Sequence, residues 1–167
     1  MQLIDANGLE MIKVAANGNC VFRSPVKSVK EANHLLTAAS LREVVCNHMT
    51  EFSDEYMGFS KSGEFYTSVN KLAATGTWNI NLADAVPLAL SNLFQAKVLI
   101  FTSEQGKSLI TVAPTLIDIT HPHANQSTCL YFAYMAIPGQ EHFNACIHKN
   151  PLALSIVPVF NWNKDNY

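Results

Sequence analysis

The apolar pattern of this chain changes period near residue 95, and that change decides most of what it can fold into. Before it, apolar residues recur every three to four positions, the spacing that lines one side of an α-helix. From about Asn33 or His34 to Phe52, such a face is formed by Leu36, Ala39, Val44 and Met49. A second lies within Ser62 to Ala73, through Phe65, Val69 and Leu72. A third, through Val86, Ala89, Leu90, Leu93 and Phe94, follows Asp84. Asp84 is the expected cap of this third helix because it leaves Pro87 in the first turn, where a missing N–H does little harm. Beyond residue 95 the apolar runs are short, branched and aromatic. Lys97 to Thr102 reads as a buried strand, and Ser108 to Val112, Cys129 to Ala136 and Phe143 to His148 read similarly. Glu104-Gln105-Gly106-Lys107 would turn the first pair into a hairpin. One more strand, Leu9 to Val14, stands ahead of the helices. Helices first and strands mostly second is the order of an α+β domain.

Composition limits what such a domain can bind. Only 14% of the 167 residues are charged, against roughly 25% in an average soluble domain. With 11 Lys+Arg and 13 Asp+Glu the net charge is −2, and no basic run could track a phosphate backbone or an anionic membrane. Nucleic acid and membranes are not expected partners. The apolar content of 49% predicts a folded chain, and its length suits a single domain spanning residues 1–167 and acting as a monomer. No apolar run approaches the roughly 18 residues of a membrane span, and Met1 to Glu10 carries no leader pattern. The four cysteines, Cys20, Cys46, Cys129 and Cys146, are widely spaced in a chain large enough to do without staples. Reduced thiols in the cytoplasm are expected.

The sharpest local feature is Asn17-Gly18-Asn19-Cys20-Val21-Phe22-Arg23-Ser24, a Gly-containing turn that delivers a cysteine to a helix start. Pro25 is expected to confine that helix to about its first turn. At a helix N-terminus, unpaired N–H groups and the dipole favour a thiolate, and the same N–H groups can bind an oxyanion. Taken alone, the segment fits a small buried hydrophobe equally well. A thiol nucleophile needs an imidazole base, and the base needs a group that fixes its tautomer. His142 opens the last strand, where period two puts Asn144 on the same face, so Asn144 could hold the ring. Metal binding is the competing use. Cys46-x-His48, His121-x-His123 and Cys146-x-His148 each pair two ligands, but no CxxC knuckle accompanies them, and neither a metal nor a cofactor is expected.

Together the two segments resemble the ovarian tumour (OTU) family of cysteine proteases, which remove ubiquitin or related modifiers. The family's nucleophile segment runs Asp-Gly-Asn-Cys-Leu-Phe-Arg, and its base lies in a His-aromatic-Asn/Asp element late in the domain. Here they read Asn17-Gly18-Asn19-Cys20-Val21-Phe22-Arg23 and His142-Phe143-Asn144. The resemblance continues through Thr77-Trp78, the helix Ala85 to Phe94 and the strand Val98 to Phe101, and so spans about residues 9–148, leaving the tail 151–167 outside it. It implies a papain-like OTU fold with a central, mostly antiparallel sheet packed between helices. It also implies that Cys20 is the nucleophile, His142 the base and Asn144 the orienting residue, with Asn17, Gly18 and Asn19 forming the oxyanion loop. The implied partner is ubiquitin, polyubiquitin or a ubiquitin-like modifier, whose tail would lie beside Trp78 and Gly139, Gln140 and Glu141. The family's Asp is Asn17 here, and its usual Ala after the Phe-Arg pair is Ser24. The first departure motivates an alternative, a ubiquitin-binding module with weak or no catalysis.

Overall fold

The computed structural model describes residues 2–29, 36–74, 80–104, 108–117, 129–136 and 142–149. It begins with the short helix α1 (Gln2–Ala6), turned by Gly8 at φ +68° into strand β1 (Leu9–Ile12). Helices α2 (Cys20–Val29), α3 (Ala38–Glu51), α4 (Ser53–Tyr56), α5 (Phe65–Ala73) and α6 (Ala85–Phe94) follow, with single 3₁₀ turns at Met57–Phe59 and Ile80–Leu82. The strands β2 (Lys97–Thr102), β3 (Leu109–Val112), β4 (Cys129–Met135) and β5 (His142–His148) are the last of the described elements.

The five strands of the described residues form one sheet in the order β1-β5-β4-β2-β3, antiparallel except for the parallel pair β2–β4. The first strand therefore pairs with the last, Leu9 opposite His148 and Ile12 opposite Ala145. This pairing brings the segment leading into Cys20 beside the strand that carries His142 and Asn144. Period two along β2 and β4 sorts the side chains. Val98, Ile100, Leu130 and Phe132 join the main core under the helices α2 to α6, while Phe101 and Ala133 join a smaller cluster with Ile4 of α1, Leu9 and Cys146. Helices thus cover both faces of the mostly antiparallel sheet, as the resemblance implied.

Helix α6 is buried nearly all round, from Ala85 to Phe94, because it lies between sheet and helical layer. Asp84 flanks it as expected but makes no side-chain cap bond; its own backbone is already helical, which turns the carboxylate away from the first-turn N–H groups. Helix α3 starts at Ala38, later than the periodicity suggested. Thr37 Oγ1 accepts from Ser40 N at 3.1 Å and Ser40 Oγ from Thr37 N at 3.0 Å, a reciprocal cap that fixes the entry. Its buried face is Leu41, Arg42, Val44, Val45, Cys46, His48 and Met49; Ala39, expected on that face, is exposed. Helix α2 is longer than Pro25 allowed for. Pro25 lies inside it, buried, and the packing of Val21, Phe22 and Ser24 offsets the missing backbone bond.

A buried polar network ties this layer together. His48 Nε2 meets Tyr56 OH at 2.9 Å, Asn92 Nδ2 donates to the same hydroxyl at 2.7 Å, and Asn92 Oδ1 accepts from Thr115 N at 2.8 Å and Leu116 N at 3.1 Å. Burial pushes the Tyr56 hydroxyl up to about 12 and lowers His48 to about 4, so both are neutral at pH 7.

Candidate active site

Three short segments build the site. Residues 13–19 leave β1 as irregular backbone, bend at Asn17 and Gly18, and reach Cys20 at the first turn of α2. Gly18 takes φ +70°, a conformation that favours glycine, and so allows the bend. The Asn19 carbonyl then accepts from Phe22 N at 3.1 Å and Arg23 N at 2.9 Å, which starts the helix. Cys20 is consequently among the residues whose N–H groups an α-helix leaves without an intrahelical acceptor, and it senses the positive end of the helix dipole. It is buried, and Ser24 Oγ donates to its carbonyl at 2.9 Å.

Strand β5, packed directly on α2, carries the second part. His142 is half-buried at the strand's first position, and Asn144, two residues on, is buried. Asn144 Oδ1 accepts from Val14 N at 3.0 Å and lies 3.2 Å from His142 Nε2. The backbone N–H of Val14 can only donate, so the atom facing it must be the amide oxygen rather than the NH₂. That oxygen in turn requires a donor at His142 Nε2. Neutral His142 therefore carries its proton on Nε2 and a lone pair on Nδ1. Nδ1 is buried and has no hydrogen-bond partner among the described residues, which leaves it available as a base.

Burial dominates at two further thiols. It raises Cys146 to about 12 and Cys46, despite an opposing pull from Arg42, to about 11, so both stay protonated and poorly nucleophilic. All four cysteines are free thiols. Among the described residues no group of three or more His, Cys, Asp or Glu side chains could hold a metal ion, and no helix is long and apolar enough to cross a membrane. Trp78, Gly139, Gln140 and Glu141, as well as His121 and His123, lie outside the described residues.

One residue of the site escaped the sequence reading. Arg42 of α3 is 1% exposed. Its Nη2 donates to Asn19 Oδ1 at 2.6 Å and to the Gly18 carbonyl, its Nη1 donates to the Leu72 carbonyl, and its guanidinium lies 4.4 Å from the ring centre of Phe22. Burial lowers its pKa, an effect opposed by the nearby Cys46 and Cys20. Its position on the same helical stripe as Cys46 and Met49 was the available signal, since a charge there must be either buried or exceptional.

A mixed α/β fold with a five-stranded sheet, a helix opened by a cysteine and a His–Asn pair on the strand packed against that helix has the residue types of a thiol hydrolase. The chain belongs to the OTU-like cysteine protease family, whose family model matches residues 15–143. Over 153 residues it is 24% identical to the deubiquitinase OTUD6B of Mus musculus, covering 86% of this chain and 48% of that protein, so it spans about half the length of that relative. Solved OTU-domain structures share its fold. The OTUD1 OTU domain aligns with a TM-score of 0.63 at 16% identity, covering 87% of this chain and 89% of that one. An OTU deubiquitinase from Wolbachia pipientis wMel, bound to ubiquitin, aligns with a TM-score of 0.57 at 12% identity, covering 86% and 98%.

Proposed function

We propose that this chain is a deubiquitinating cysteine protease that hydrolyses the bond after the C-terminal glycine of ubiquitin. The observation that carries this reading is the Asn144 amide oxygen, which holds His142 in the tautomer that exposes Nδ1. In the proposed reaction His142 Nδ1 takes the proton of Cys20, and the thiolate attacks the glycine carbonyl carbon. The oxyanion is stabilised by backbone N–H groups of the loop ending at Cys20. The imidazolium gives its Nδ1 proton to the lysine nitrogen as the C–N bond breaks, leaving a thioester. Water, deprotonated by His142, attacks the thioester; the C–S bond breaks, and the thiolate recovers a proton to restore the starting state. Asn144 Oδ1 accepts the hydrogen bond from Nε2–H throughout. Free thiols suit a reducing compartment, and we place this activity in the cytosol.

A ubiquitin probe with a C-terminal electrophile tests this reading. It should label the wild-type chain and not Cys20→Ala; a wild-type chain that binds ubiquitin without being labelled would sink it in favour of the binding module. That second reading is favoured by Asn17, which is exposed and stands where the family has Asp. On the protease reading Asn17→Asp keeps or raises turnover, because it restores the residue the family has at this position; a large loss contradicts it.

A further inference from the structure

We infer that Arg42 is a positioning residue that locks the Gly18–Asn19 peptide in its catalytic orientation, an inference that rests on the protease reading above. A trans peptide is planar, and its C=O and N–H point in opposite directions. Anchoring the Gly18 carbonyl on Arg42 Nη2 therefore drives the Asn19 N–H away from Arg42. Turned over, the same peptide would offer a carbonyl oxygen where the reaction needs a donor. The two residues flanking this peptide resist such a flip poorly. Gly18 already sits at φ +70° and tolerates most of φ/ψ space, and Asn is among the non-glycine residues most often found at positive φ.

A clamp from outside the bend can therefore fix this peptide. Arg42 has the geometry of one. Nη2 spans two loop acceptors, the Gly18 carbonyl and the Asn19 side-chain oxygen. Nη1 is braced on the Leu72 carbonyl in the last turn of α5, where helix carbonyls lack internal donors and the dipole favours a cation. The guanidinium plane is held over Phe22, two residues beyond Cys20 on α2. A lysine would place a charge in this position without the planar fork that reaches both loop and brace.

The test compares wild type with Arg42→Lys and Arg42→Gln on ubiquitin carrying a C-terminal fluorogenic amide. Losing the use of one oxyanion donor costs about 10²-fold in kcat; KM should change by less than about threefold, because ground-state binding is untouched. Affinity for ubiquitin aldehyde, whose adduct with Cys20 carries an oxygen in the same place, should fall alongside kcat. Alkylation of Cys20 by iodoacetamide, a displacement that develops no oxyanion, should keep its rate. Circular dichroism confirms that each variant is folded.

If both position-42 variants fail to fold, Asn19→Ala removes one arm of the clamp and should lower kcat about tenfold at unchanged KM. A folded variant with wild-type kcat overturns the clamp, as does one in which alkylation, KM and kcat fall together, the pattern of general damage. A wild-type chain that neither cleaves ubiquitin nor reacts with the aldehyde overturns instead the reading of the site, and this role with it.

Discussion

Replacing Asn144 by alanine removes one atom that serves two donors, so its effect should appear in two measurements at once. The first is stability. Asn144 Oδ1 is the acceptor for the buried Val14 N–H, and a buried donor stripped of its partner costs about 1–3 kcal/mol. Urea denaturation should therefore show Asn144→Ala less stable by that amount. The second is turnover. On the protease reading His142 takes the Cys20 proton, the Nε2 bond to Asn144 then becomes charge-assisted, and hydrogen bonds to charged groups contribute about 1.5–3 kcal/mol. At about 1.36 kcal/mol per decade, its loss should lower kcat roughly 10- to 150-fold. Loss of the fixed tautomer acts in the same direction. Asn144→Asp separates the causes, since a carboxylate accepts from both donors; stability should stay near wild type and kcat within about threefold. An alanine variant that is destabilised yet turns over at the wild-type rate would show that the ring is oriented by something else. An aspartate variant as slow as the alanine one would refute the acceptor argument altogether.

Three other outcomes follow from the same geometry. His48 titrates at 6.5 when unfolded and at about 4 when folded, so the unfolded chain binds more protons in between; its contribution is complete above pH 6.5 and lost as pH falls toward 4. The loss amounts to about 3 kcal/mol, and denaturation midpoints of His48→Gln should lack that slope. Thr37→Ala breaks the reciprocal cap of α3 and should cost about 0.5–2 kcal/mol in thermal or urea unfolding, with no change of fold by circular dichroism. A chain so poor in charge should recognise ubiquitin through apolar and neutral polar contacts, so kcat/KM should vary less than about threefold between roughly 0.05 and 0.5 M salt. A fall of orders of magnitude would contradict that use of composition.

The elements were legible where the pattern alone determines them. β2 has the limits its branched run predicts, and α6 runs from Ala85 to Phe94 as expected. The errors lie where a local device competes with periodicity. Helix α3 waits for a Thr–Ser cap that lacks the usual Glu or Gln at its third position, and α2 passes through a proline because its first turn is buried deeply enough to hold it. α4 and the 3₁₀ turn after it, four and three residues long, are too short to leave a period. Pairing of β1 with β5 joins residues more than a hundred positions apart, which no local pattern encodes.

The candidate site divides along the same line. On the protease reading, the side chains that act directly on the reaction have distinctive types and spacing, so Cys20, His142 and Asn144 could be proposed from the sequence. Side chains that act by holding backbone have neither, because their partners are carbonyls and N–H groups that every residue carries. Asn144 belongs to both kinds, and only its bond to His142 was foreseeable. Arg42 belongs wholly to the second. Between them they secure the loop that carries the cysteine. On the entering side Val14 N–H is held by Asn144 from β5, and on the leaving side the Gly18 carbonyl is held by Arg42 from α3. The five residues between Val14 and the helix, Ala15 to Asn19, include the bend that glycine permits and that no hydrophobic contact could fix, since Ala15, Ala16 and Asn17 are exposed. One anchor comes from the sheet and the other from the helical layer. The geometry of the loop is thereby set by how those two layers pack, and α2, seated on β5 and capped above by Phe22 against Arg42, is the element through which that packing reaches Cys20.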